Sequence, residues 1–328
     1  MTGKLRASMT HIQGPLSSFA MLIVLSAGFT LAAPEFLTEN NISNVLRQAS
    51  PLLIASLGQM LVILVAGIDI STGALVAFAS VGGAVAAVSG GAAAGVAATV
   101  GLAALAGTVS GLAVSVFQVQ AVIATIGMLG AARGLALLIS DGQPIGNLPP
   151  GFLDLANSYL LGIPAPVILA AAVTMLVAGW LLLTPSGRAL FAIGGSADAA
   201  RAAGIHVRLH RTIAYGAAGA LAGLAAVIYT GRAASGQPTF GVGLEIETIA
   251  AVVLGGTALG GGRATVAGTA FGAIIVAVLS NGMELAGISP YIERVVLGFA
   301  LIVIVFIDLT RRRILENIRN RQIAMANR

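Results

Sequence analysis

Apolar residues run along this chain in long, nearly unbroken stretches, with polar positions gathered between the stretches instead of alternating within them. A helix needs about 20 such residues to cross the hydrocarbon core of a bilayer. The pattern predicts about ten crossings on that criterion, over 16–34, 49–67, 72–89, 92–116, 120–139, 164–183, 212–230, 246–260, 264–282 and 291–309. The predicted class is an all-α integral membrane protein, one transmembrane domain over residues 1–328 with no separate soluble domain.

Two of the apolar runs are interrupted. The stretch Ala66 to Gly73 divides the second and third runs, and Leu254 to Arg263 divides the eighth and ninth. Both breaks are glycine-rich and lie in different halves of the chain. Unwound backbone at membrane depth is tolerated where it lines a cavity or is buried in protein, and paired interruptions point to a transporter built from a repeat. Two related halves with broken helices near Asp69 and Gly255 are therefore expected; the competing reading is two ordinary turns between hairpin helices.

One long polar segment stands out, Pro185 to Arg211, holding Arg188, Arg201, Arg208, Arg211, His206 and His210. Within it Ser196 is placed to cap a helical turn, Asp198 suits the positive end, two alanine pairs favour helix and Gly204 supplies a stop. A short small-faced helix of this kind can dock in another protein's groove; the plainer reading is a solvated basic loop.

Composition sharpens the class. The chain is 57% hydrophobic and 9% charged, against about 25% charged residues in soluble domains. Its 43 glycines suit close helix packing in lipid. The net charge of +5 sits in loops and at the ends, which is not a nucleic-acid footprint. Having no cysteine excludes disulfides, thiol catalysis and cysteine metal sites. The three histidines fall in loops or tails, and no Walker A, HExxH or GxSxG pattern occurs. No catalytic residue, metal site or cofactor is expected, and any ATP hydrolysis must come from another chain.

Charge also orients the spans. Lys4 and Arg6 before the run Leu16 to Ala33 resemble a signal peptide, but the run exceeds the usual h-region of about 7–15 residues and Pro34 follows it. It is read as the first span. With that end inside, Lys4, Arg6, Arg188, Arg201, Arg208, Arg211, Arg263 and the C-terminal cluster from Arg311 to Arg328 fall on the cytoplasmic side, against Arg47, Arg232 and Arg294 outside. Both termini and the 185–211 loop are expected in the cytoplasm.

Several polar residues stand in apolar surroundings. Asp69 lies between two isoleucines at the first break, either as a helix-end carboxylate with Ser71 and Thr72 or as a substrate or proton group. Arg133 lies within the fifth span and should pair with an acid or with backbone carbonyls; Asp141 at the end of that span is the candidate acid. Candidate lining of a solute path is Asp69, Ser71, Thr125, Arg133, Gly255 and Gly256. Gln237, Glu245 and Glu247 precede or open the eighth span, where they either meet an extracellular partner or cap a helix.

Four segments together resemble a known family: Gly67 to Gly73, Ile123 to Gly134, Gly187 to Gly204 and Ile249 to Gly268. In order and spacing, from about Ser50 to Asp308, the chain is similar to permease subunits of bacterial ATP-binding cassette importers, in the ribose, arabinose, xylose and autoinducer-2 permease family. The resemblance implies a bacterial inner-membrane subunit that moves a sugar or sugar-like solute inward. It implies separate ATPase subunits, a periplasmic solute-binding protein, and a second permease copy or paralogue. It also implies that the 185–211 loop carries the coupling helix, with Asp198, Ala199, Ala200, Arg201 and Gly204 as contacts to the ATPase. Asp198 stands at or beside a position where such permeases often carry Glu. The alternatives are a branched-chain amino acid permease of the same class, a cation-coupled secondary transporter using Asp69 or Glu284, or a membrane scaffold without transport.

Overall fold

The computed structural model describes residues 2–303 together with positions 306 and 310, with side chains from Leu16 onward. The C-terminal basic cluster and part of the last expected span lie outside the described residues.

The chain is helical throughout: α1 (Thr2–Ala32), α2 (Glu39–Leu64), α3 (Thr72–Ser115), α4 (Ala121–Ser140), α5 (Pro150–Asn157), α6 (Ala165–Leu183), α7 (Pro185–Gly195), α8 (Ala197–Ala202), α9 (Val207–Ala233), α10 (Leu244–Leu254) and α11 (Val266–Leu285). A further helix, α12, spans 290–303. A two-residue hairpin, β1 (Tyr159–Leu160) with β2 (Ile163–Pro164), sits between α5 and α6. Among the described residues six helices are long and apolar enough to cross a membrane: α2, α3, α4, α6, α9 and α11. This is a multi-pass membrane protein.

The expected spans 72–89 and 92–116 are the two arms of α3. Gly91, at φ 81 and ψ 178, folds the helix back on itself. The arms run antiparallel in contact: a Cβ at Gly83 would collide with Thr99, one at Gly82 with Leu102 and one at Gly95 with Ala87. The second arm then packs on α9 at backbone distance, because Gly107, Gly219 and Gly223 each leave room only for the opposing main chain. In lipid this close approach supplies the dispersion that substitutes for a hydrophobic driving force.

Helix α2 is the centre of the bundle. Its residues are buried without interruption from Ala49 to Leu64, on every face, as expected for a helix apolar all round. Asn41 and Asn281 exchange amide hydrogen bonds at 2.8 and 2.9 Å, tying α2 to α11. Pro51 lies inside α2 and cannot donate to the carbonyl four residues earlier. That carbonyl, on Arg47, accepts from Arg232 Nη1 at 3.3 Å. Helices α4 and α6 lie at the periphery and present leucines and isoleucines outward.

One expectation needs correction. Between α4 and α6, α5 packs Phe152, fully buried, among Ala84, Ala87, Leu148 and Val227. The eighth span, expected over 246–260, is helical only over Leu244–Leu254. Eleven residues give about 16 Å, half of a bilayer core. Glycines at 255, 256, 261 and 262 stop the helix early, three of them at φ between 75 and 84.

Candidate functional site

The polar loop folds into two short helices. Thr184 opens α7: its hydroxyl accepts from Gly187 N at 3.0 Å and donates to Trp180 O at 2.7 Å. Ser196 ends α7 and caps α8, its Oγ accepting from Ala199 N at 3.2 Å. Gly204, at φ 82, turns the chain away after α8. Asp198 and Arg201 form an ion pair at 2.8 Å, with side chains 93% and 66% exposed; such a surface pair contributes less than about 1 kcal/mol. Of the expected coupling residues, Asp198, Ala199, Arg201 and Gly204 are exposed. Ala200 is not: it is 3% exposed and packs into this chain's own core.

Helix α7 is the bridge from this loop to both breaks. Leu190 and Ile193 bury its inner face. At its end Gly194 lies against the Leu64 carbonyl at the end of α2 and the Gly262 amide in the second break, so that any Cβ there would collide with both. Gly262 N in turn donates to Leu64 O at 3.0 Å. A Cβ at Gly261 would meet Ala66 N at 2.8 Å. Three segments therefore meet main chain to main chain: the end of α2, the end of α7 and the 255–265 connection.

The first break is held by a side chain. Asp69, 1% exposed, accepts from both the amide and the hydroxyl of Ser71 through one oxygen, the amide at 2.7 Å. Ser71 occupies the N-cap position of α3 but makes no side-chain cap bond, since its hydroxyl is committed to Asp69. The carboxylate thus holds the turn two residues before the N-cap of α3. Thr125 sits alongside, its hydroxyl 3.0 Å from Ala121 O and 3.4 Å from Ile68 O. Gly255 contacts Gly268, closing α10 onto α11.

The segment 234–243 does not stay at the bundle's end. Gly236 meets Ser80 and Ala84, and Gly241 meets Gly73 at the start of α3, so the chain descends along α3 before α10 begins. Arg133 pins this descent by donating to Pro238 O at 2.8 Å and Phe240 O at 2.7 Å. Asp141, the acid expected to pair with Arg133, forms no ion pair with it; two carbonyls left free by an extended segment are the nearer acceptors. Gln237 is held to α3 by its main chain, its backbone N donating to Ser80 Oγ at 3.2 Å, while its side-chain Nε2 donates to Ser235 Oγ at 3.0 Å. A Cβ at Gly73 would meet Glu245 Oε2 at 2.5 Å, placing that carboxylate at the positive end of α3.

Glu247 is separated from Glu245, because residues two apart on a helix face different neighbours. It lines a cavity of about 360 Å³ with Tyr229, Arg232, Glu284 and Glu293. Ser280 donates to Glu293 in the same cavity. This polar chamber and the Gly194 contact are what sequence reasoning missed. The chamber's residues come from α2, α9, α10, α11 and α12, and only their clustering in the fold reveals it.

The family is decided by comparison with known proteins. A profile described as branched-chain amino acid transport system / permease component matches residues 41–305. The chain belongs to that permease family. It is 38% identical over 301 residues to the ribose import permease protein of Escherichia coli, covering 89% of this chain and 92% of that one. The ribose import permease protein of Bacillus subtilis is 37% identical over 319 residues, 94% and 96% of the two chains. The D-allose transport system permease protein of Escherichia coli is 32% identical over 297 residues, 89% and 90%. No solved structure matches. The protein is thus a membrane permease subunit of an ATP-binding cassette importer, not an enzyme; hydrolysis belongs to a separate subunit.

Proposed function

We propose that this permease carries a sugar of the ribose or allose kind into the cytoplasm, driven by ATPase subunits that engage α8. Support comes from the sugar-permease relatives that align along nearly its whole length. The observation that carries the mechanism is α7, which connects the exposed α8 to both interrupted segments through Gly194. A push on α8 is delivered where α2 ends and near the end of the second break. Two states of the ATPase dimer then select two arrangements of the membrane helices.

In this reading the chain crosses the membrane ten times: α1, α2, the two arms of α3, α4, α6, α9, α10 with the descending 234–243 segment, α11 and α12. Arg188, Arg201, Arg208, Arg211 and Arg263 lie on the cytoplasmic side with both termini, and Arg47, Arg232 and Arg294 lie outside. The two halves correspond through their breaks, at 65–71 and 255–265. The cavity of Glu247, Glu284 and Glu293 opens outward, where carboxylates can accept hydrogen bonds from solute hydroxyls, and Glu247 lies on the side that a periplasmic solute-binding protein approaches, whereas Gln237 and Glu245 are drawn deeper along α3. Asp69, Ser71, Thr125 and Arg133 shape the path by holding its backbone. A second permease, identical or paralogous, completes the pathway.

The exposed Ala199 gives the test. Ala199→Trp is expected to lower uptake of radiolabelled ribose or allose at least about tenfold with normal protein level in a membrane blot, because a bulky group blocks close approach of the ATPase. Normal uptake at normal level refutes the coupling role. Ala200→Trp, by contrast, is expected to lower the protein level itself, since Ala200 is buried in the chain. The family description also supports a branched-chain amino acid as solute. Uptake of leucine and not of ribose by the assembled importer would establish that reading.

A further inference from the structure

At the end of the bundle that carries α8, a cavity of about 520 Å³ lies between the coupling loop and the first break. Arg201 from α8, Arg208 and Arg211 from α9 and Gln118 from the α3–α4 turn line it, and Ala66 and Gly67 of the break form its inner wall. No carboxylate is among the lining residues. Arg201 is engaged by Asp198, whereas Arg208 and Arg211 form no ion pair among the described residues. Three guanidinium groups thus face one cavity whose lining holds no acid.

The backbone adds to this. Arg208 and Arg211 lie three residues apart in the first turns of α9, on one face, with Tyr215 four residues further on the same face. His206 at the N-cap of α9 gives no side-chain hydrogen bond to the helix end, so the positive pole of a 27-residue helix is left without a capping oxygen. Tyr215 closes the floor against Gly67, and its hydroxyl is buried without a hydrogen-bond partner. Arginine forks, a bare helix start and apolar walls from Val65, Val114 and Val119 suit one ligand chemistry: a phosphate group carrying a small organic body.

We propose that this cavity binds a phosphate ester and that binding ties α8 to the start of α9, restraining the coupling helix. The phosphate is either that of a free sugar phosphate or that of an anionic lipid headgroup. The inference rests on the cytoplasmic placement of α8 for its meaning, but the binding itself does not.

The test uses the assembled importer, permease with its ATPase subunits, in detergent where both faces are open. Ribose 5-phosphate and inorganic phosphate are titrated by ³¹P NMR and calorimetry; in parallel the complex is placed in phosphatidylcholine nanodiscs with and without phosphatidylglycerol. The expected result is saturable phosphate binding, weakened at least about tenfold in R208Q/R211Q and partly restored in R208K/R211K. Competition by ribose 5-phosphate in phosphatidylcholine alone assigns the free ester. Protection of the complex against thermal unfolding only with phosphatidylglycerol, lost in R208Q/R211Q, assigns the headgroup. Absence of binding from both arms overturns the proposal, as does binding that R208Q/R211Q leaves unchanged. So does a double variant whose sole effect is loss of the ATPase from the complex, since the arginines would then be a protein contact. In proteoliposomes, inhibition by ribose 5-phosphate added only on the binding-protein side would refute the orientation while leaving the site intact.

Discussion

The two interrupted segments do the same topological work by opposite means. At 65–71 a carboxylate replaces the missing helix: Asp69 gathers the amide and hydroxyl of Ser71 and is sealed from solvent. At 255–265 no side chain takes that part. The connection is closed by its own backbone, with Ala258 N donating to Arg263 O at 3.0 Å and Gly256, Gly261 and Gly262 all at positive φ. Only the restart of helix is handled alike, by hydroxyl residues at the N-caps Ser71 and Thr265, and only Thr265 makes the cap bond, to Gly268 N at 3.1 Å. A break specified by one buried acid is rigid and intolerant at one position. A break specified by glycines spreads its requirement over several positions and accepts more than one backbone arrangement. The second break, then, is the segment suited to move, and the first the segment suited to stay.

The contact where both meet gives the largest expected effect. Gly194→Val forces a branched side chain into the Leu64 carbonyl and the Gly262 amide. Uptake should be abolished, with destabilisation beyond the roughly 1–3 kcal/mol of ordinary overpacking because main chain must shift. Solute-stimulated ATPase activity should fall with it, and persistence of coupled uptake would show that α7 is not the bridge. Next, Asp69→Ala strands a buried amide and hydroxyl, costing about 1–3 kcal/mol for each group left without a partner. Gly261→Ala meets a positive φ and the nearby Ala66 amide, for which about 1 kcal/mol of backbone strain is expected. Thermal unfolding in mild detergent should rank Asp69→Ala well below Gly261→Ala; the reverse order would erase the distinction between the two breaks. The smallest effect belongs to Asp198→Asn. It removes an exposed ion pair worth less than about 1 kcal/mol, so stability should be unchanged within error.

Much of this architecture was legible in the chain. Long apolar runs mark α2, the arms of α3, α4, α6, α9 and α11, because lipid leaves the backbone no partner but itself. The glycine-rich interruptions at Asp69 and Gly255 and the cap and stop of α8 were readable for local reasons. What escaped depends on contacts far apart in sequence. Arg133 meets carbonyls of Pro238 and Phe240 that become free only once 234–243 descends along α3. Ala200 faces inward because α7 sets the rotation of α8, which alanine spacing alone does not encode. Glu245 and Glu247 look equivalent on paper, yet one reaches the start of α3 and the other the chamber shared with Glu284 and Glu293. Gly194 is one of many glycines in the chain, and only its neighbours give it meaning.

Arg232 has a reach that its hydrogen bond to the Arg47 carbonyl understates. It stands at the far end of α9, a rod of about 40 Å whose opposite tip carries Arg208 and Arg211. A tilt of roughly 5° about one tip would sweep the other by about 3 Å, enough to unhook a guanidinium from a carbonyl. Pro51, by vacating that carbonyl, lets a lever that starts at the cavity of Arg208 and Arg211 finish in the wall of the chamber that holds Glu247.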